Sequence, residues 1–189
     1  MNRPHGSKIE QKLLIETGMQ KVLGYLVLYP EKEFSLTDLA KESGVRKSNI
    51  GNILDKLYKE EIIIVEKLAK IWRIRANQGS TNFIKIKVVY NMHHIYQSGM
   101  VEFLNEKYGN PKSIILFGSF RRGEDTSKSD IDIAIEMEDA KEYKIVELEK
   151  EIMGRKTNLH LFNRKVIDKN LFNNIANGIV LSGFLEVRP

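Results

Sequence analysis

Residues Phe117–Met137 read FGSFRRGEDTSKSDIDIAIEM. A Gly-Ser pair, two arginines, a second glycine and two acids one residue apart stand ahead of an apolar run. The preceding KSIILFGS is itself an apolar stretch that ends at Gly118, so the segment reads as strand, tight turn and second strand. Alternate residues of a strand share a face, which puts Asp130 and Asp132 on one side, about 6.6 Å apart along the chain, with Ile131 and Ile133 behind them. Two carboxylates held that way repel each other unless a cation lies between them. Mg²⁺ (or Mn²⁺) takes a few carboxylates together with phosphate oxygens, so an aspartate pair beside a phosphate-compatible turn suits a metal-bound nucleotide. Gly118 lets the backbone pass close to a phosphate, Ser119 offers a hydroxyl and an amide, and a helix starting near Phe120 would aim its positive end there. A P-loop is excluded: Gly118 and Gly123 have its spacing, but Glu124 and Asp125 follow where it needs Lys and then Ser or Thr.

Downstream, DAKEYKIVELEKEIMG reads as a helix, KTNLHLF as a third strand and DKNLFNNIANG as another helix before IVLSGFLEV. Upstream the punctuation is different. ETGMQKVLGYLVLYPEKE places Met19, Val22, Leu23, Leu26 and Val27 at helical spacing and stops at Pro30. SLTDLAKESG opens on Ser35 as an N-cap, has Asp38 where a capping-box acid sits, and ends at Gly44. VRKSNIGNILDKLYKEE gathers Ile50, Ile53, Leu54 and Leu57 on one face and leaves Arg46, Lys47, Ser48, Asn49, Asn52 and Lys56 off it. IIIVEKLAKIWRIRA then predicts a hairpin fringed by Lys67, Lys70, Arg73 and Arg75. From about residue 80 to 110 one long or broken helix joins the two parts, either as a homodimer surface or as intramolecular packing. His93 and His94 are neighbours on it and point about 100° apart, which favours one packed and one solvated ring over a shared ion.

Composition bounds the class. The 189 residues are 42% hydrophobic and include no cysteine, so neither disulfides nor thiolate metal sites are available and a reducing cytoplasm is expected. The N-terminus lacks a secretion signal and no apolar run approaches the roughly 20 residues that span a bilayer, so no membrane partner is expected. Net charge is +5, and the basic excess lies in the first 97 residues, with 16 Lys+Arg against 10 Asp+Glu; the remainder holds 14 against 15. That asymmetry suggests a polyanion-binding part attached to something else, although surface lysines alone can produce it.

The phrase FSLTDLAKESGVRKSNIGNILDKLYKEEIIIVEK resembles the winged helix-turn-helix family, and the likeness covers roughly residues 17–76. It implies that the third helix enters the major groove of double-stranded DNA while the hairpin touches the adjacent backbone. Lys47, Ser48, Asn49 and Asn52 could then meet base edges beside Arg46, and Lys56, Lys67, Lys70 and Arg73 could neutralise phosphates. The bland alternative is a solvated face on a small helical domain that contacts protein.

GSFRRGEDTSKSDID is similar to the signature of the minimal nucleotidyltransferases of the DNA polymerase β-like superfamily. Gly118, Ser119, Arg122, Gly123 and Ser129 fill its nucleotide-binding positions, and Asp130 and Asp132 its catalytic and metal-binding ones. The resemblance implies transfer of a nucleoside monophosphate from an NTP, ATP being the expected donor, with Mg²⁺ bridging carboxylates and phosphates. It also exposes a departure, because active members add a third carboxylate from the next strand, and the aligned position here is Asn158, with His160 two residues on. Nucleotide binding can survive that loss while transfer weakens.

The fold expected is α+β: a winged helix-turn-helix over residues 1–78, linking helices over 79–110 and a small α/β nucleotidyltransferase unit with a mixed sheet over 111–189. Three functions stay open at this level: a DNA-binding transferase, a transcriptional regulator that only senses nucleotide, and an antitoxin-like transferase with a protein acceptor.

Overall fold

The computed structural model describes residues 17–68 and 71–186. Helix α1 (Gly18–Leu28) opens on a capping box, in which the Thr17 hydroxyl accepts from the Gln20 amide and the Gln20 side chain accepts from the Thr17 amide. Helix α2 (Leu36–Glu42) is capped by Ser35, which accepts from the Asp38 amide at 3.1 Å, and stops at Gly44, where φ is +66°. Helix α3 (Lys47–Lys59) buries Ile50, Leu54 and Leu57, while Ile53 is half-buried. Strands β1 (Ile63–Leu68) and β2 (Ile71–Ala76) form the expected antiparallel hairpin, and Phe34 bridges to Ile74 beside it. Val22, Leu26, Leu39, Ile50, Leu54 and Ile74 close one apolar core, each stabilising it by about 1.5–3 kcal/mol. Three helices and a hairpin in this order are a winged helix-turn-helix arrangement.

The joining segment is two helices, α4 (Thr81–Gln97) and α5 (Met100–Lys107), broken at Gly99 with φ +68°. Helix α4 buries Phe83, Lys87, Asn91 and Ile95, one stripe at i, i+4 spacing whose two middle members are polar. His93 and His94 are both half-buried, not divided between core and solvent as expected.

Strands β3 (Ser113–Phe117), β4 (Ile131–Glu136), β5 (Lys144–Ile152), β6 (Arg155–Phe162) and β7 (Ile179–Gly183) make a mixed sheet in the order β5-β6-β4-β3-β7. Only β4 and β6 run parallel. Helix α6 (Gly118–Arg122) follows β3 and starts two residues before the Phe120 expected, and α7 (Lys169–Ala176) precedes β7. One sheet face, with Ile114, Leu116, Ile131, Ile133 and Leu159, packs against α5 and Phe120. On the other, Ile115, Phe117, Ala134 and Phe162 pack against Ile175 of α7.

One expected element is corrected. Residues 139–154 do not form a helix: Lys144–Ile152 is strand β5, paired antiparallel to β6. Leu148 and Ile152 at i, i+4 among lysines and glutamates imitate a helix face. Met153 and Gly154, at φ +56° and +68°, instead make a left-handed two-residue turn that folds β5 onto β6. Pairing covers an edge of β6 that a helix would leave open, and this tertiary gain overrides local propensity.

Candidate functional site

Asp132 stands on β4 opposite Phe117 of β3 and opposite Asn158 of β6. Alternation along β4 buries Ile131 and Ile133 on the α5 face and turns Asp132 to the α7 face. Gly118 is where the strand end meets this carboxylate: φ is +74°, and a Cβ there would lie 2.5 Å from Asp132 Oδ2. The backbone angle favours glycine, and any side chain there would displace the Asp132 carboxylate. Asp130, just before β4, is exposed.

The side-chain amide of Asn158 donates to Asp130 Oδ2 at 3.3 Å and to Asp132 Oδ1 at 3.5 Å. Both aspartates therefore converge on one donor, which softens their repulsion without neutralising it. His160 Nε2 lies 3.2 Å from Asp132 Oδ1, its Nδ1 meets the hydroxyl of Tyr143, and its ring packs edge-on against Phe117. Burial, then the charge of Asp132, pushes the Tyr143 hydroxyl pKa up, so it stays a donor. Tyr143 had no sequence signal, because it lies at the start of the segment read as a helix.

Among the described residues no three His, Cys, Asp or Glu side chains form a metal cluster. The Asp130–Asp132 pair does fit Mg²⁺ in its donor chemistry: two hard carboxylate oxygens converge on a point now served by an N–H donor.

The remaining motif residues divide. The Ser119 carbonyl accepts from the Glu124 amide, and Ser129 Oγ accepts from the Thr126 amide, closing the turn before Asp130. Arg122 Nε donates to Glu124 at 2.6 Å, both exposed. Gly123 has a packing reason: a Cβ there would lie 2.9 Å from the Ile84 carbonyl oxygen on α4.

Sequence reasoning missed the groups that hold this turn in place. Asp125 is fully buried and ion-paired to Lys87 at 3.3 Å and to Arg155, and accepts from Asn91 at 2.9 Å. The Arg155 guanidinium also lies over the Phe120 ring. Burial lowers the Lys87 pKa, although the charge of Asp125 opposes that shift. From the winged-helix side, Glu31 accepts hydrogen bonds from the amide and hydroxyl of Ser127. The only sequence signal was the placement of Lys87 and Asn91 four residues apart on an otherwise apolar stripe.

On the N-terminal side Arg46, Lys47, Ser48, Asn49, Asn52 and Lys56 are all exposed along α3. Lys67 stacks over Trp72 with its ammonium 4.1 Å from the ring centre, and Arg73 is exposed. Lys70 lies outside the described residues.

Residues 98–181 match the family model of the nucleotidyltransferase domain. A curated protein of Methanocaldococcus jannaschii, provisionally named a protein adenylyltransferase, is 45% identical over 62 residues, which cover 31% of this chain and 62% of the relative. The chain thus spans less than two thirds of that relative's length. Among solved structures, the Adhesin competence repressor of Streptococcus pyogenes is 15% identical at a TM-score of 0.37, covering 52% of this chain and 72% of its own. MepR, a transcription regulator of the Staphylococcus aureus multidrug efflux pump MepA, is 21% identical at 0.38, covering 52% and 70%. Residues 98–181 of this chain are a nucleotidyltransferase domain, and three helices and a hairpin in the winged-helix order precede it.

Proposed function

We propose that this protein binds double-stranded DNA through its winged helix and an NTP–Mg²⁺ complex through its nucleotidyltransferase domain, from which it transfers a nucleoside monophosphate to an acceptor. The observation that carries the nucleotide reading is the convergence of Asp130 and Asp132 beside a glycine where a Cβ would push the Asp132 carboxylate aside. Transfer joins an acceptor oxygen to the α-phosphorus and breaks the bond to the bridging oxygen, whose electron pair departs with pyrophosphate. Such catalysis rests on positioning and charge neutralisation, and bound Mg²⁺ would supply the latter. The name of the archaeal relative supports ATP as donor and a protein as acceptor. The absence of cysteine suits a cytoplasmic setting.

A second reading is favoured by Asn158 and His160, which put neutral or weakly basic groups where the nucleotidyltransferase resemblance calls for a third carboxylate. In that reading the domain senses nucleotide for a DNA-binding regulator. Labelled ATP with Mg²⁺ or Mn²⁺, with and without cell extract, separates the two. Label transfer abolished by Asp130→Asn supports the enzyme. Nucleotide-dependent thermal stabilisation without transfer supports the sensor. Gel-shift titrations test the DNA half: Lys47→Ala and Lys56→Ala should weaken binding, the latter with a shallower salt dependence.

A further inference from the structure

Tyr143, His160 and Asp132 form one line of polar contacts. The Tyr143 hydroxyl meets His160 Nδ1, and His160 Nε2 lies 3.2 Å from Asp132 Oδ1. An ionised carboxylate only accepts hydrogen bonds, so the ring nitrogen that faces Asp132 is the one that carries hydrogen, and Nδ1 keeps a lone pair for the phenol. Packing holds the line in place. The His160 ring stands edge-on against Phe117, and Tyr143 packs against the cluster that contains Phe117, Ala134 and Phe162. Tyr143 stays half-buried, just ahead of β5. A hydroxyl, a base beside it and a carboxylate that orients the base are the parts of an activated oxygen nucleophile.

We propose that Tyr143 is the acceptor of a nucleotidyl transfer within the chain, with His160 as the base that activates its hydroxyl. The inference rests on the transfer reading above and names an acceptor for it. The step forms a bond from Tyr143 Oη to the α-phosphorus of the NTP. It breaks the bond from that phosphorus to the oxygen bridging the β-phosphorus, whose electron pair leaves with pyrophosphate. The phenolic proton passes to His160 Nδ1, and the resulting imidazolium rests against the charge of Asp132. A free phenol titrates near about 10, so near neutrality its oxygen needs such a base. Where the nucleotidyltransferase resemblance calls for a third carboxylate, β6 supplies an imidazole that already holds a hydroxyl. The hydroxyl next to Asp130 is spent otherwise: Ser129 Oγ accepts from the Thr126 amide and meets the Thr126 hydroxyl, and so serves the turn. The product is a tyrosyl phosphodiester beside the nucleotide site, and each chain accepts a single nucleotide.

The full-length protein incubated with ATP and Mg²⁺ or Mn²⁺ and no other protein, followed by intact-mass and peptide mass spectrometry, tests this. The expected result is one AMP group per chain on the peptide that holds Tyr143, gained at a first-order rate that does not change with protein concentration. Tyr143→Phe keeps the ring and its packing and should remove that adduct. His160→Gln should slow its formation by about 10²–10⁴-fold. Tyr58→Phe, at an exposed tyrosine on α3, should leave it at the parent rate. An adduct on another residue, one retained in Tyr143→Phe, or a rate that rises with protein concentration overturns the assignment. Label that reaches proteins of a cell extract but never the chain itself also overturns it, while the transfer reading stands. ATP-dependent thermal stabilisation with no label anywhere overturns both the acceptor and transfer. Melting of Tyr143→Phe with and without ATP should match the parent, which separates a lost acceptor from a lost fold or a lost nucleotide.

Discussion

His160 Nε2 lies 3.2 Å from Asp132 Oδ1, and the same carboxylate oxygen is within 3.5 Å of the Asn158 amide nitrogen. Two nitrogen-bearing side chains from one strand thus occupy one side of Asp132. The candidate site is organised around this contact: Asn158 and His160 hold Asp132 from one side, and anything that binds there must compete with them.

Asn158→Asp replaces that donor with a third carboxylate. Without metal, three clustered acids should lower stability by on the order of 1 kcal/mol. Mg²⁺ or Mn²⁺ should restore it, and label transfer from ATP should rise. Thermal melts with and without the ion, alongside the transfer assay, measure both. A variant as stable as the parent and unresponsive to metal would mean that residue 158 does not face the ion.

Gly118→Ala places a Cβ 2.5 Å from Asp132 Oδ2 on a backbone with φ +74°. The strained conformation costs about 1–3 kcal/mol, and relief by moving Asp132 should abolish nucleotide-dependent stabilisation. Urea unfolding with and without ATP reads the two effects separately.

Asp125→Asn leaves Lys87 and Arg155 buried without a counter-charge and should destabilise the fold by about 3–5 kcal/mol. Lys87 also predicts a pH dependence. Burial holds its folded pKa below the ordinary 10.5, so the unfolded chain binds more protons between those two values and stability rises with pH through that window. Lys87→Met should flatten the rise, as seen in urea midpoints collected across alkaline pH.

Glu31 joins the winged helix to the turn before Asp130 through Ser127. Burial pushes its carboxyl pKa up, but the hydrogen bonds from Ser127 and its own amide, with the charge of Lys87, outweigh that and hold it below the ordinary 4.5. A lowered acid pKa contributes stability above 4.5 that is lost as pH falls through the folded value. Ser127→Ala should therefore cost a few tenths of a kcal/mol near neutrality, and the gap between variant and parent should close in acid. Melting temperatures of the two proteins measured from neutral pH down to pH 3 test the sign.

Much of this architecture was legible in short stretches of chain. Ser35 and Gly44 mark helix ends through a hydrogen bond and a backbone angle a few residues long. Ile50, Leu54 and Leu57 declare the inner face of α3 by spacing alone, and the alternation around Asp130 and Asp132 declares theirs. What needed the folded chain was long-range pairing. Lys144–Ile152 has a helix-like pattern, and its fate depended on the turn at Met153–Gly154 and the open edge of β6. Asp125 looked like a failed P-loop position and is a buried ion partner of residues 38 and 30 positions away. Local hydrogen bonding and periodicity act within a few residues and can be read in order, whereas burial and charge pairing depend on which distant segments share a surface.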